Sequence, residues 1–232
     1  QFDGCPIVPG GTLIYEGKEP IRLCERGLHA STRILDALEY APGGTISRVR
    51  LSGEVTRGED KIVATHRTCL WAFDAKYTLI TWAADCAERA LLRERKAGRE
   101  PDPRCFAAIE AARKFVKDPS EENSRAAAAA SKAALAASDA VWAAHAASDA
   151  AWAASNAAKA ASDAASAANY AAWEANYAAS VASDAAEAAH YAASDVDANA
   201  WTRERKWQSA RLRNLIAAGR AAQSSPARLT LT

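Results

Sequence analysis

Methionine is absent from the 232 residues, and neither glycine nor proline occurs between 120 and 218. The first absence, with the opening Gln1, sets the expectation that the native N-terminus lies upstream. The second leaves about a hundred residues without a strong helix breaker. An excess of one charge is also missing: 29 Lys+Arg oppose 28 Asp+Glu, a net charge of +1. That balance argues against a strongly electrostatic partner. No apolar run reaches about 18 residues, the length of a membrane span. Asp, Lys and Asn interrupt the alanine-rich region every few residues, so no membrane partner is expected. No signal-peptide pattern is visible. The five cysteines (5, 24, 69, 86 and 105) are odd in number and irregularly spaced. They form neither a zinc pattern nor a secreted disulfide framework, and a reduced cytoplasmic setting is the default. Phosphate loops, metal motifs and nucleophile elbows are lacking too, so the expectation is no metal and no cofactor.

What is present in excess is alanine, and it is placed. Numbered in sevens from Ala126, three columns begin at 126, 129 and 130 and run to Ala193. All thirty of their positions are alanine, whereas the other 38 residues of that window hold only eight. Random low complexity would not segregate in this way. Steps of three and four put the columns on one helix face. Alanine favours the helix and loses no rotamer entropy on burial. A methyl-only face lets another backbone approach closely, and a strict sevenfold repeat implies a left-handed supercoil. The expected assembly seam is Ala143, Ala147, Ala150, Ala154, Ala157, Ala161, Ala164, Ala168, Ala171 and Ala175. At about 0.8 kcal/mol per methyl-sized group, thirty alanines give roughly 24 kcal/mol at most. Association then requires much of the length to pair.

The opposite face carries Trp142, Trp152, Tyr170, Trp173, Tyr177 and Tyr191 among short polar groups. Aromatics so interleaved read as a second, wetter contact face, or as a solvated face. His145 and His190 are too far apart on one helix to share a metal.

The first 75 residues differ in composition and predict a β-rich head. Val49, Leu51 and Val55 alternate with polar residues, a half-buried strand. TLIY at 12–15, EPIRL at 19–23, KIVAT at 61–65 and TCLWAF at 68–73 read as further strands. Ser31 is placed to cap a short helix stopped by Pro42-Gly43-Gly44. Residues 76–118 read as two amphipathic helices packing on the head. Asp74 caps the first and Gly98 ends it; Asp102-Pro103 starts the second and Asp118-Pro119 closes it. Ser120 then caps the alanine region, with Glu121 and Glu122 in its first turn. The expected class is α+β: a small β-rich N-terminal domain followed by a very long alanine-rich helix over 119–219 and a tail over 220–232. The alternative is a set of helices folded back as a bundle. A continuous helix would extend about 147 Å. Near its end Trp201, Trp207, Leu212, Leu215 and Ile216 form a hydrophobic closing segment. Seven basic residues face two acids from Asp197 onward; they complement the helix C-terminus more readily than they argue for nucleic acid.

Cys5, Leu23, Cys24, Gly27, Leu28, His29, Ala30, Asp36, Ala37, Leu38, Leu51, Gly53, Gly58, Asp60 and Lys61 carry a resemblance to a domain of unknown function common in bacteriophage and bacterial proteins. It covers about residues 5–90 and departs at Glu59 and Ser31. The resemblance implies a domain, not an activity, and a bacterial host or phage particle as the setting. FAAIEAARKFVKDPSEENSRAAAAA resembles alanine-rich helical proteins of the toxin-immunity class.

Cys24 and His29 are the candidate ligand-binding residues. Either they form a pocket or a nucleophilic pair, or His29 fixes its turn while Cys24 packs. No catalytic residue is assigned. The functional expectation is a non-enzymatic protein that assembles with itself through the alanine seam. A ligand- or toxin-binding immunity module is the alternative, with an enzyme using His29 as a third.

Overall fold

The computed structural model describes residues 8–41, 43–144, 159–160, 162–167, 174–191 and 199–223. The chain divides into two compact units, residues 1–75 and 76–232. The architecture is α+β, an antiparallel sheet followed by helices.

In the first unit the strands are β1 (Thr12–Ile14), β2 (Leu28–Ala30), β3 (Thr45–Arg57) and β4 (Ile62–Asp74), with helix α1 (Ile34–Glu39) between β2 and β3. β4 is the spine. It pairs along one edge with β3, and along the other with β1 at 66–68 and β2 at 62–64. KIVAT and TCLWAF, expected as separate strands, are therefore one, because His66 and Arg67 contain nothing that breaks an extended chain. EPIRL is not a strand: an isolated Arg22–Arg26 bridge closes a turn there instead. Gly53 is in the left-handed region at φ +76, within a register shift between Ser52 and Val55. A Cβ there would meet Thr65 Oγ1 at 2.1 Å. That oxygen instead accepts the Glu54 N–H at 3.0 Å, which fixes a bulge only glycine fits.

Two expected caps fail. α1 begins at Ile34 with Arg33 at the cap position and no side-chain cap, because 31–33 carry the turn out of β2. Asp74 pairs with Thr45 as the last residue of β4, so it precedes rather than caps the next helix. Others hold. Asp102 accepts the Arg104 N–H at 2.8 Å, and Ser120 accepts the Asn123 N–H at 3.3 Å. Gly98, at φ +81, ends its helix, where Arg99 N–H bonds to the Glu94 carbonyl at 3.0 Å.

The second unit holds α2 (Lys76–Lys96), α3 (Pro103–Lys117), α4 (Glu121–Ala144), α5 (Glu174–Tyr191) and α6 (Ala200–Gln223). Residues 159–160 and 162–167 are also helical. α2 is central, packing on α3, α5 and α6; α3 packs on α4, and α5 on α6. No described helix is long and apolar enough to cross a membrane.

A single helix over 119–219 is not what forms. Ser131 Oγ lies 3.1 Å from Ser162 Oγ and 2.7 Å from Ser166 Oγ. On one straight helix, 31 residues span about 47 Å. The helices fold back on one another as a bundle. Gly219, expected to end the run, lies inside α6. The physical reason is burial. Trp82, Leu79, Ile80 and Leu91 on α2 are fully buried, and the returning helices supply the cover that one extended rod could not.

The closing helix buries Leu212 and Ile216 of the expected segment, together with residues that were not expected. Ala200, Glu204, Gln208, Leu212 and Ile216 face inward, while Trp201 is exposed. Glu204 is fully buried and accepts from Arg89 Nε at 2.9 Å and from Arg93. Gln208 donates to the Ala182 carbonyl at 2.8 Å, and its own carbonyl accepts Trp82 Nε1–H at 3.0 Å. Arg211 reaches Asp85 at 2.8 Å, so this arginine bridges to α2 rather than attending its helix end. Replacing Glu204 with alanine should cost about 3 kcal/mol in urea unfolding, because two arginines lose a buried partner. A variant as stable as the wild type would remove this tie from the account.

Candidate functional site

The segment LCERGLHA forms a tight turn entering β2. Arg22 N–H bonds the Arg26 carbonyl at 2.8 Å, and Arg26 N–H bonds back to Arg22 at 3.0 Å. Gly27 has φ +111, and a Cβ on it would lie 2.5 Å from Val63 Cγ2. Cys24, with a side chain, still takes φ +67. That strained conformation is held by His29, whose Nε2 accepts the Cys24 backbone N–H at 3.1 Å. The acceptor role assigns the ring proton to Nδ1. Burial lowers the His29 pKa below 6.5, opposed by the Gly27 carbonyl and helped by the charges of Lys61 and Arg67.

The hairpin end of β3–β4 meets this turn. Tyr40 donates to Asp60 Oδ2 at 2.5 Å, and Lys61 Nζ stands 3.9 Å from the Tyr40 ring centroid. The bond from Tyr40 holds the Asp60 carboxyl below its usual range. Tyr40, then Cys24, raise the Lys61 pKa by hydrogen bonding, so its ammonium persists at all ordinary pH. Arg67 donates to the His29 carbonyl at 3.1 Å. The fold thus brings Cys24 and His29 to Asp60 and Lys61 from across the sequence. The His29 bond reaches the Cys24 backbone rather than its sulfur, so a nucleophile and base are not paired by it. Among the described residues no group of His, Cys, Asp and Glu could hold a metal. Tyr40 was missed in the sequence. Its only signal is position, at the C-cap of α1.

The alanine columns divide between two environments. On α5, Ala178, Ala182, Ala185, Ala186 and Ala189 are buried, as are Ala164 and Ala165 before it. On α4 the inward stripe is instead Asn123, Ala127, Ser131, Ala134 and Ser138. The columns there turn out: Ala126, Ala129, Ala136 and Ala140 are exposed, Ala130 and Ala133 half-buried, and Ala137 alone buried. Ala147, Ala150, Ala154, Ala157, Ala161, Ala168 and Ala171 lie outside the described residues, as do the side chains of Ala143 and Ala175. Of the aromatic face, Tyr177 packs on the core of Ile80, Ala112, Phe115, Ala127 and Ala167. The half-buried Tyr191 meets the His190 ring at 5.3 Å. Trp152, Tyr170 and Trp173 lie outside the described residues, and so does the Trp142 side chain.

Residues 9–80 match the family model described as Domain of unknown function (DUF7666). The match spans less than a third of the chain and contains the whole Cys24–His29–Lys61 constellation. No curated protein and no solved structure gives a significant match.

If His29 locks the turn of this domain, His29→Ala should lower stability by about 1 kcal/mol at pH 7.5. The folded-state pKa lies below the unfolded value, so the neutral ring's contribution is complete above pH 6.5. It is lost as pH falls through the folded pKa, when the acceptor is protonated. Urea titrations of both proteins should therefore show their difference shrinking toward pH 5. A constant difference would contradict the lock.

Proposed function

We propose that the chain is a non-enzymatic interaction protein that associates with itself through the alanine face of α4. One observation carries the reading: the sevenfold columns that pack helix on helix at Ala178, Ala182, Ala185 and Ala189 are turned outward at Ala126, Ala129, Ala136 and Ala140. With the half-buried Ala133 as a fifth, these positions recur at steps of three and four, the spacing of a coiled-coil seam. A seam of methyls lets two such helices approach closely, with the exposed Arg125, Lys132 and Asp139 along its margin. The resemblance in the first unit supports a phage or bacterial setting, and the toxin-immunity class keeps a protein partner within this reading.

Magnitude sets the strength of the contact. Five seam positions on each of two helices give about 8 kcal/mol at most, at roughly 0.8 kcal/mol per group. The loss of rigid-body freedom costs about as much. Self-association is therefore weak and concentration-dependent. Sedimentation equilibrium of the wild type should show a mass rising above 24.6 kDa with concentration. Ala129→Glu with Ala136→Glu should hold it at 24.6 kDa with the helix content unchanged. A wild type that stays monomeric at all concentrations would sink the reading.

A further inference from the structure

β3 is an open edge. Its partner is β4, whose other edge is filled by β1 and β2 end to end, and no other described strand pairs with β3. None of its 13 residues is buried. An edge of that length is a template for a further strand, and native proteins guard such edges with charge. Arg48, Arg50 and Arg57 stand on it, and none has an ion pair among the described residues. A groove of about 1530 Å³ lies over the sheet face, lined by residues of β3, β4, β1, β2 and α1. Arg48, Arg57, Lys61 and Arg67 line it, with Glu25 the one acid among the described lining residues, over an apolar floor that includes Val49 and Leu51.

The spacing of these charges selects the ligand class. Arg48 and Arg57 are separated by about 30 Å of extended chain. They cannot converge on one phosphate, so the charge is laid out for an extended polyanion. Single-stranded nucleic acid binds through aromatic platforms. Among the described residues the groove offers the Tyr40 ring and the His29 imidazole, and the Tyr40 ring already faces Lys61 Nζ at 3.9 Å. A peptide, by contrast, uses the free backbone edge directly. A second copy of β3 is disfavoured by net charge, because each strand brings three arginines and a single acid, Glu54.

We propose that β3 accepts an extended acidic segment of a partner protein as an added strand, with the segment's carboxylates over Arg48 and Arg57. This surface is separate from the alanine face, and its occupancy does not depend on self-association. The balanced net charge hides it, since acids elsewhere in the sequence offset the arginines of one strand.

Fluorescence anisotropy with a labelled peptide of about ten residues, alternating Glu and Val, tests the proposal on the full chain. The peptide should bind, and binding should weaken with added salt. Arg48→Glu with Arg57→Glu should weaken it by at least about tenfold. Both side chains are exposed, so the fold should survive, and Arg48→Gln with Arg57→Gln gives a milder version of the same readout. The same peptide with alternate amides N-methylated should lose binding, which separates strand addition from simple charge attraction. Equal binding by an alternating Lys and Val peptide would overturn the proposal. So would undiminished binding of the methylated peptide, tighter binding of an oligothymidine, or an unchanged affinity in both arginine variants.

Discussion

Methyl faces pack closely but specify little. Alanine buries small area and offers no knob to set register, so helices joined by such faces can slide or rotate at low cost. The second unit depends on polar contacts that prevent this. Ser131 bonds Ser162 and Ser166; Lys159 reaches both carboxylate oxygens of Asp184; Ser180 donates to Asp163 at 2.7 Å. Glu204 and Gln208 do the same for the closing helix against α2 and α5. Burial pushes the Asp184 pKa up to about 6, with the Lys159 ammonium opposing it. These pins cost desolvation and return uniqueness, the trade that buried polar groups make in a smooth core.

The first unit applies a different rule to the same end. Its geometry depends on a few backbone positions rather than on a large core. Gly53 makes the bulge, Gly27 allows Val63 to pack, and His29 holds Cys24 in a conformation that side chains rarely adopt. The consequence is a long strand held firmly along β4 with its other side open.

Much of this was legible residue by residue. Strand alternation through Val49, Leu51 and Val55 located β3, and Asp102, Gly98 and Ser120 marked helix ends correctly, because capping is local chemistry. The bundle was harder. Absence of Gly and Pro across 120–218 removes strong breakers, yet it does not force continuity, and the cover required by Trp82 and Leu79 is a tertiary demand. The buried stripe of α6 was also hidden, since Glu204 and Gln208 read as surface residues until Arg89, Arg93 and Trp82 are placed beside them. At the site, Cys24 and His29 stood out in sequence, whereas Tyr40 and the open edge of β3 depend on which strand lies next to which. Net charge does not say where charges stand, because it sums over ion pairs that the fold makes and arginines that it leaves unpaired.

The central claim is that the alanine-rich helices fold back in a register set by buried polar contacts. Spin labels on Lys132 and Ser166, measured by double electron–electron resonance at dilution, test it most directly. The account predicts a single short distance, because Ser131 and Ser166 touch at 2.7 Å. A distance near 51 Å, the length of 34 residues of unbroken helix, would contradict it.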